Sequence, residues 1–131
     1  MDIPNGNDRE EIRSRWQLLK DFYAKWNEAH PGKRVWNKSL GAYIHVKYVS
    51  INETARQASI SFESTQEVLR LSEILSEAEL IKAMPPKRGN KNQKPFSEIL
   101  VMKQKSAMLI VGKQRSTEEY VQYCISCRHK K

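Results

Sequence analysis

Phe96-Ser-Glu-Ile-Leu-Val-Met102 and Ala107-Met-Leu-Ile-Val-Gly112, separated by the four residues Lys103-Gln-Lys-Ser106, decide how this chain is read. The two runs are rich in Ile, Val, Leu and Met and are broken by a polar stretch. They predict a β-hairpin whose strands are covered on both faces. The remaining segments are then its cover or its flanks.

Upstream, Pro85 to Pro95 carries four bases and no acid, with nothing apolar beyond its prolines and glycine. It is expected to be a mobile basic loop, 85–95. Ala78 to Met84 is read as a strand, because the helical pattern before it fades after Leu75. Ser64, with Glu67 three residues on, marks the start of a helix carrying Val68, Leu71 and Leu75 to about Glu77. Ala42 to Ile51 and Gln57 to Glu63 are read as strands around a turn at 52–56, since Ala58, Ile60 and Phe62 alternate with polar residues. Trp36 and Asn37 fall in a connection. A first helix begins at Asn7 or Asp8, buries Ile12, Trp16, Leu19, Tyr23 and Trp26, and stops at His30-Pro31-Gly32. Residues 1–7 form a disordered tail. Downstream, Val121, Tyr123 and Ile125 alternate with Gln122, Cys124 and Ser126, which favours a strand over 117–127, although Thr117-Glu118-Glu119 resembles a helix start. Residues 128–131 form a basic tail. The fold class is therefore α+β: an antiparallel sheet of five or six strands packed by two helices, in the order α-β-β-α-β-β-β-β.

The 131 residues suffice for one domain spanning 1–131. No apolar run reaches the length that spans a bilayer, and Met1 to Asn7 lacks the regions of a signal peptide, so a cytoplasmic location is expected and no membrane partner. The formal net charge of +8 favours polyanionic partners. The charge is uneven: residues 51–84 hold six acids and three bases, whereas Lys33 to Lys47 holds four bases and no acid.

Candidate chemistries are few. Cys124, Cys127 and His129 offer three zinc ligands where a structural site takes four, and two sulfurs three apart on a strand point to opposite faces, so neither metal nor cofactor is expected. A thioredoxin-type redox role does not fit a CxxC so near the carboxyl end. Gly-x-Ser-x-Gly, His-Glu-x-x-His and phosphate-loop motifs are absent from the sequence, and no catalytic residue is assigned. His45 paired with Glu98 is the one arrangement that would cleave RNA by general acid and base catalysis. Trp36 lies between Arg34 and Lys38, where an indole either stacks on a base or folds back onto the core.

The runs Phe22-Tyr-Ala-Lys-Trp26, Lys91-Asn-Gln-Lys-Pro-Phe96 and Val121-Gln-Tyr-Cys-Ile125 resemble a group of small bacterial proteins with no established activity. The resemblance implies a bacterial origin and assigns no functional residue. The charge map supplies the functional expectation: a small non-enzymatic protein that binds nucleic acid, DNA or RNA, through Lys33, Arg34, Trp36, Lys38, Lys87, Arg88, Lys91 and Lys94. The alternatives are a protein-protein interaction module and, third, a metal-independent RNA-cleaving enzyme.

Overall fold

A computed structural model describes residues 3–127. Helix α1, Arg9–Ala29, starts where Asp8 accepts the Glu11 amide at 2.9 Å, with Glu10 and Glu11 in the first turn. Its buried residues Arg15, Leu19, Tyr23 and Trp26 recur at helical spacing. The ring of His30 stacks on Trp26 at 4.0 Å and closes the helix. Trp16, expected in the core, is 40% exposed instead. Its place on the buried stripe belongs to Arg15, one residue earlier.

Strands β1, Arg34–Asn37, and β2, Ala42–His45, form an antiparallel hairpin, so Trp36 and Asn37 lie in a strand and not in a connection. Asn37 fixes the turn. Its side-chain Oδ1 accepts the Leu40 amide, and its side-chain Nδ2 donates to the Leu75 and Ala78 carbonyls at 2.8 and 3.0 Å. Gly41, at φ +63°, supplies the left-handed residue that the turn requires.

The largest correction falls on 46–63, which contains no strand. Helix α2, Tyr48–Ala58, replaces the end of the first expected strand, the expected turn and the first two residues of the second expected strand, and β2 ends at His45. Ser50 accepts the Lys47 amide, and Thr54, Ala55 and Ala58 are buried at helical spacing. The alternation that suggested a strand does not mark a buried face: Ile60 is 59% exposed. The second predicted helix is also divided. Helix α3, Phe62–Val68, is capped by Ser61, which accepts the Ser64 amide, and helix α4, Leu71–Glu77, follows it. Ser64 is thus not the cap; its hydroxyl accepts the Cys127 amide.

Strands β3, Glu79–Met84, β4, Phe96–Gln104, β5, Ala107–Gln114, and β6, Tyr120–Cys127, complete a six-stranded sheet in the order β1-β2-β6-β5-β4-β3. The central hairpin is β4–β5, closed at Gln104 and Ala107. The α+β class stands; among the described residues there are four helices where two were expected, and the sheet has one parallel pair. In that pair Ile44 faces Tyr120 and His45 faces Val121. Beyond those two positions β2 has left the sheet, and α2 and α3 run along β6 in its place.

Both faces of the central hairpin are covered, as its apolar runs require. Leu100, Met102, Leu109 and Val111 join the main core with Leu19, Tyr23, Leu71, Ile74 and Leu75 from the helices. On the opposite face Phe96, Ile99, Val121, Tyr123 and Cys124 form a smaller cluster, with Val49 and Ile110 against it. Among the described residues no helix is long and apolar enough to cross a membrane.

Candidate nucleic-acid interface

Strand alternation sorts the β1–β2 hairpin into two faces. Val35 and Ile44 pack into the main core, so Arg34, Trp36, Tyr43 and His45 point to the other side. On that side Trp36 sits opposite Tyr43 and Arg34 opposite His45. The Trp36 and Tyr43 rings meet edge to face at 5.2 Å, and the Arg34 guanidinium lies 4.0 Å from the Tyr43 centroid. Trp36 keeps 50% of its surface exposed and Tyr43 40%. The indole therefore does not fold back onto the core; a cation and two rings form a row on the outer surface.

Among the described residues Lys33, Arg34 and Lys38 form no ion pair. Lys33 precedes β1 at φ +51°. Lys38 lies at the hairpin tip, where its amide donates to the Ser76 carbonyl at 3.1 Å, beside the end of α4 rather than on the aromatic row. The second sequence cluster sits on the loop between β3 and β4. Turns at 87–90, 90–93 and 93–96 fold this loop, and the Lys87 amide donates to Gln93 at 2.6 Å. Asn92 donates to Glu53 at 2.9 Å and ties the loop to α2. Lys87, Arg88, Lys91 and Lys94 remain exposed and form no ion pair among the described residues.

Two relations put both clusters on one side of the sheet. His45 pairs with Val121 of the smaller cluster, and Glu53 lies beside Tyr123 of the same cluster, whose phenol is pushed up to about 12 by burial and by that carboxylate. The loop and the aromatic row thus flank the same face. From β2 to β4 the sheet takes three strand steps, about 14 Å at the usual spacing. They are not one contiguous patch.

Sequence reasoning missed Tyr43 and the groups around His45. Lys47 Nζ donates to Gln114 at 2.7 Å and to Glu119 at 2.6 Å, so this cation is already engaged. The carboxylate near His45 is that of Glu119, with Nε2 to Oε2 at 3.4 Å; Glu98, the expected partner, lies on β4 opposite Lys113. Burial lowers the His45 pKa and outweighs the pull of Glu119, while Lys47 and Arg34 add to the lowering. Glu119 is held below its ordinary value chiefly by the Lys47 hydrogen bond.

A pH dependence follows. Near its ordinary value of 6.5 the unfolded chain takes up a proton at His45 that the folded chain still refuses. The stability from this residue is therefore complete above that pH and is lost as pH falls toward the lower folded value. Thermal unfolding from about pH 7 down to about pH 5.5 is expected to show a falling midpoint, and His45→Gln is expected to flatten that slope. An unchanged slope in the variant removes this assignment.

The cysteines take separate positions. Cys124 is buried in the smaller cluster, and burial pushes its thiol up to about 12; Cys127 is half-buried, pairs with Ala107 of the main core, and has its pKa raised by burial as well. His129 lies outside the described residues.

No curated protein and no solved structure matches this chain. One family model does, over residues 16–117, which includes the positions of Phe22–Trp26 and Lys91–Phe96 and ends before Val121–Ile125. That span is most of the chain, and it takes in the hairpin β1–β2, helices α2 to α4 and the basic loop. The protein belongs to the family of large polyvalent protein-associated domain 3.

Proposed function

We propose that this protein binds single-stranded nucleic acid without acting on it as an enzyme. Bases stack on the outer face of the β1–β2 hairpin, and the 85–95 loop holds phosphates farther along the strand. The observation that carries this reading is the row Arg34, Tyr43 and Trp36, with half of the indole left in water. Exposed indole beside a guanidinium is costly unless something covers it, and a nucleobase offers a flat face to the ring and a phosphate to the cation. The free lysines and Arg88 of the loop, about 14 Å away across the sheet, are spaced for a strand that extends over several nucleotides.

Fluorescence anisotropy with a labelled oligonucleotide at two or more salt concentrations tests it. Binding is expected to weaken as salt rises, and Trp36→Ala is expected to weaken it about tenfold at every salt concentration. Serine at all four loop cations is expected to lower the salt slope by about three, at about 0.7 per phosphate. Absence of binding at low salt, or binding indifferent to salt, overturns the proposal. The oligonucleotide is expected to remain intact; cleavage that vanishes in His45→Gln moves the protein to the RNA-cleaving alternative.

A second reading rests on β3. All six of its residues are exposed, including Leu80, Ile81 and Met84, and among the described residues it pairs only with β4. An open apolar edge can accept a strand from a protein partner. Co-purification of a protein partner that survives nuclease treatment favours this second reading, and loss of all partners on nuclease treatment favours the first.

A further inference from the structure

Arg9, Arg13 and Lys20 share one side of α1. The structure turns part of that face toward α2. Arg9, Ile12, Arg13 and Trp16, spaced to share one side of the helix, line a groove of about 340 Å³ whose opposite wall carries Asn52, Glu53 and Arg56. Trp16 is 40% exposed there, while Tyr23 and Trp26 farther along the helix are buried. Ile12 and the indole make the floor apolar. Lys20 Nζ lies over one face of the indole, 4.9 Å from its centroid, and adds positive charge there.

The charge in the groove is not balanced. Arg9 and Arg13 form no ion pair among the described residues. The carboxylate in the lining is that of Glu53, and its oxygens are already occupied: Oε2 accepts from Arg56 at 2.9 Å and from Gln57 at 3.3 Å, and Oε1 accepts from Asn92 at 2.9 Å. Two guanidinium groups therefore stand without an ion pair beside an indole that keeps 40% of its surface exposed, with the Arg56 donors not given to Glu53 alongside.

We infer that this groove between α1 and α2 is a second binding site, for a single nucleotide unit, with the base stacked on Trp16 and the phosphate held by Arg9 and Arg13. The size fits one base, sugar and phosphate at the small end of ligand pockets, and excludes a helix or a duplex. Guanidinium groups hold phosphate oxygens by charge-assisted, bidentate hydrogen bonds, and an indole face takes a base of any sequence. The Asn52 amide, with donors and an acceptor, can meet the base edge. This site is independent of the hairpin: its aromatic is Trp16, on a different element from Trp36.

Nitrogen-15 NMR of the whole chain separates the two, because each of the three tryptophans gives its own indole signal. The Trp26 indole donates to Ser72 at 3.0 Å, so its signal reports the fold. Titration with AMP is expected to shift the Trp16 signal, identified by its loss in Trp16→Phe, and to do so equally in a Trp36→Ala background. Serine at both Arg9 and Arg13 is expected to weaken AMP binding about tenfold or more, with the Trp26 signal unchanged. Adenosine and inorganic phosphate are each expected to bind more weakly than AMP. A Trp16 signal unmoved by millimolar AMP, a double variant that binds AMP as the parent does, or phosphate binding as tight as that of AMP overturns the site. A 5′-phosphorylated oligonucleotide that shifts Trp16 where its unphosphorylated counterpart does not assigns the groove to strand ends; AMP alone shifting it assigns free nucleotide.

Discussion

Replacement of Arg15 by leucine is expected to lower the unfolding midpoint by roughly 10 °C or more. Arg15 is 0% exposed, yet among the described residues no carboxylate meets its guanidinium. Four carbonyl oxygens do: Nη1 donates to Pro4 and Gly6 at 2.7 Å each, Nε to Ser59 at 2.7 Å and Nη2 to Ile60 at 3.2 Å. One side chain thus joins the segment before α1, α1 itself and the connection from α2 to α3. Leucine fills much of the space but leaves those carbonyls without their donor. A loss of about 3–4 kcal/mol follows from unsatisfied acceptors and a lost charge-assisted network. Arg15→Lys keeps the charge without the fork and is expected to recover only part of it. A midpoint within about 3 °C of the parent, a change worth about 1 kcal/mol in a domain of this size, contradicts the assignment.

The second large effect is steric. A methyl group added at Gly112 would stand 2.6 Å from two ring carbons of Phe96 and 2.7 Å from a third. Phe96 cannot easily move aside, because it is buried and packs edge to face on Tyr123 at 5.7 Å. Gly112→Ala is therefore expected to cost about 2–3 kcal/mol in urea unfolding, through overpacking of the smaller cluster. Phe96→Leu in the same chain is expected to return part of that loss, since it removes the ring that the methyl would strike. Additive losses from the two substitutions would contradict this contact.

These two sites mark the limits of reading the chain from its residues alone. The β4–β5 hairpin was legible because its two apolar runs are long and their turn is polar. Helix α1 was legible because its apolar period runs for several turns. Arg15 was not, since nothing in a charged residue's position says that backbone carbonyls elsewhere will surround it. The segment 46–63 misled through the alternation of Ala58, Ile60 and Phe62 with polar residues, which favours a strand. The spacing of Thr54, Ala55 and Ala58 carried the helical signal that packing against β6 then selected. The candidate interface was half legible. Lys33, Arg34 and Trp36 stand together in sequence, but Tyr43 joins them only through hairpin register. Lys47 looked like another free cation until Gln114 and Glu119 were brought to it by the ends of β5 and β6.

Photochemical crosslinking tests the central claim most directly. An oligonucleotide carrying 4-thiouridine, irradiated with the protein and analysed by peptide mass spectrometry, is expected to attach at Trp36 or Tyr43, with attachment lost when both are alanine. Crosslinks that avoid the β1–β2 hairpin altogether would contradict the account, whatever the affinity.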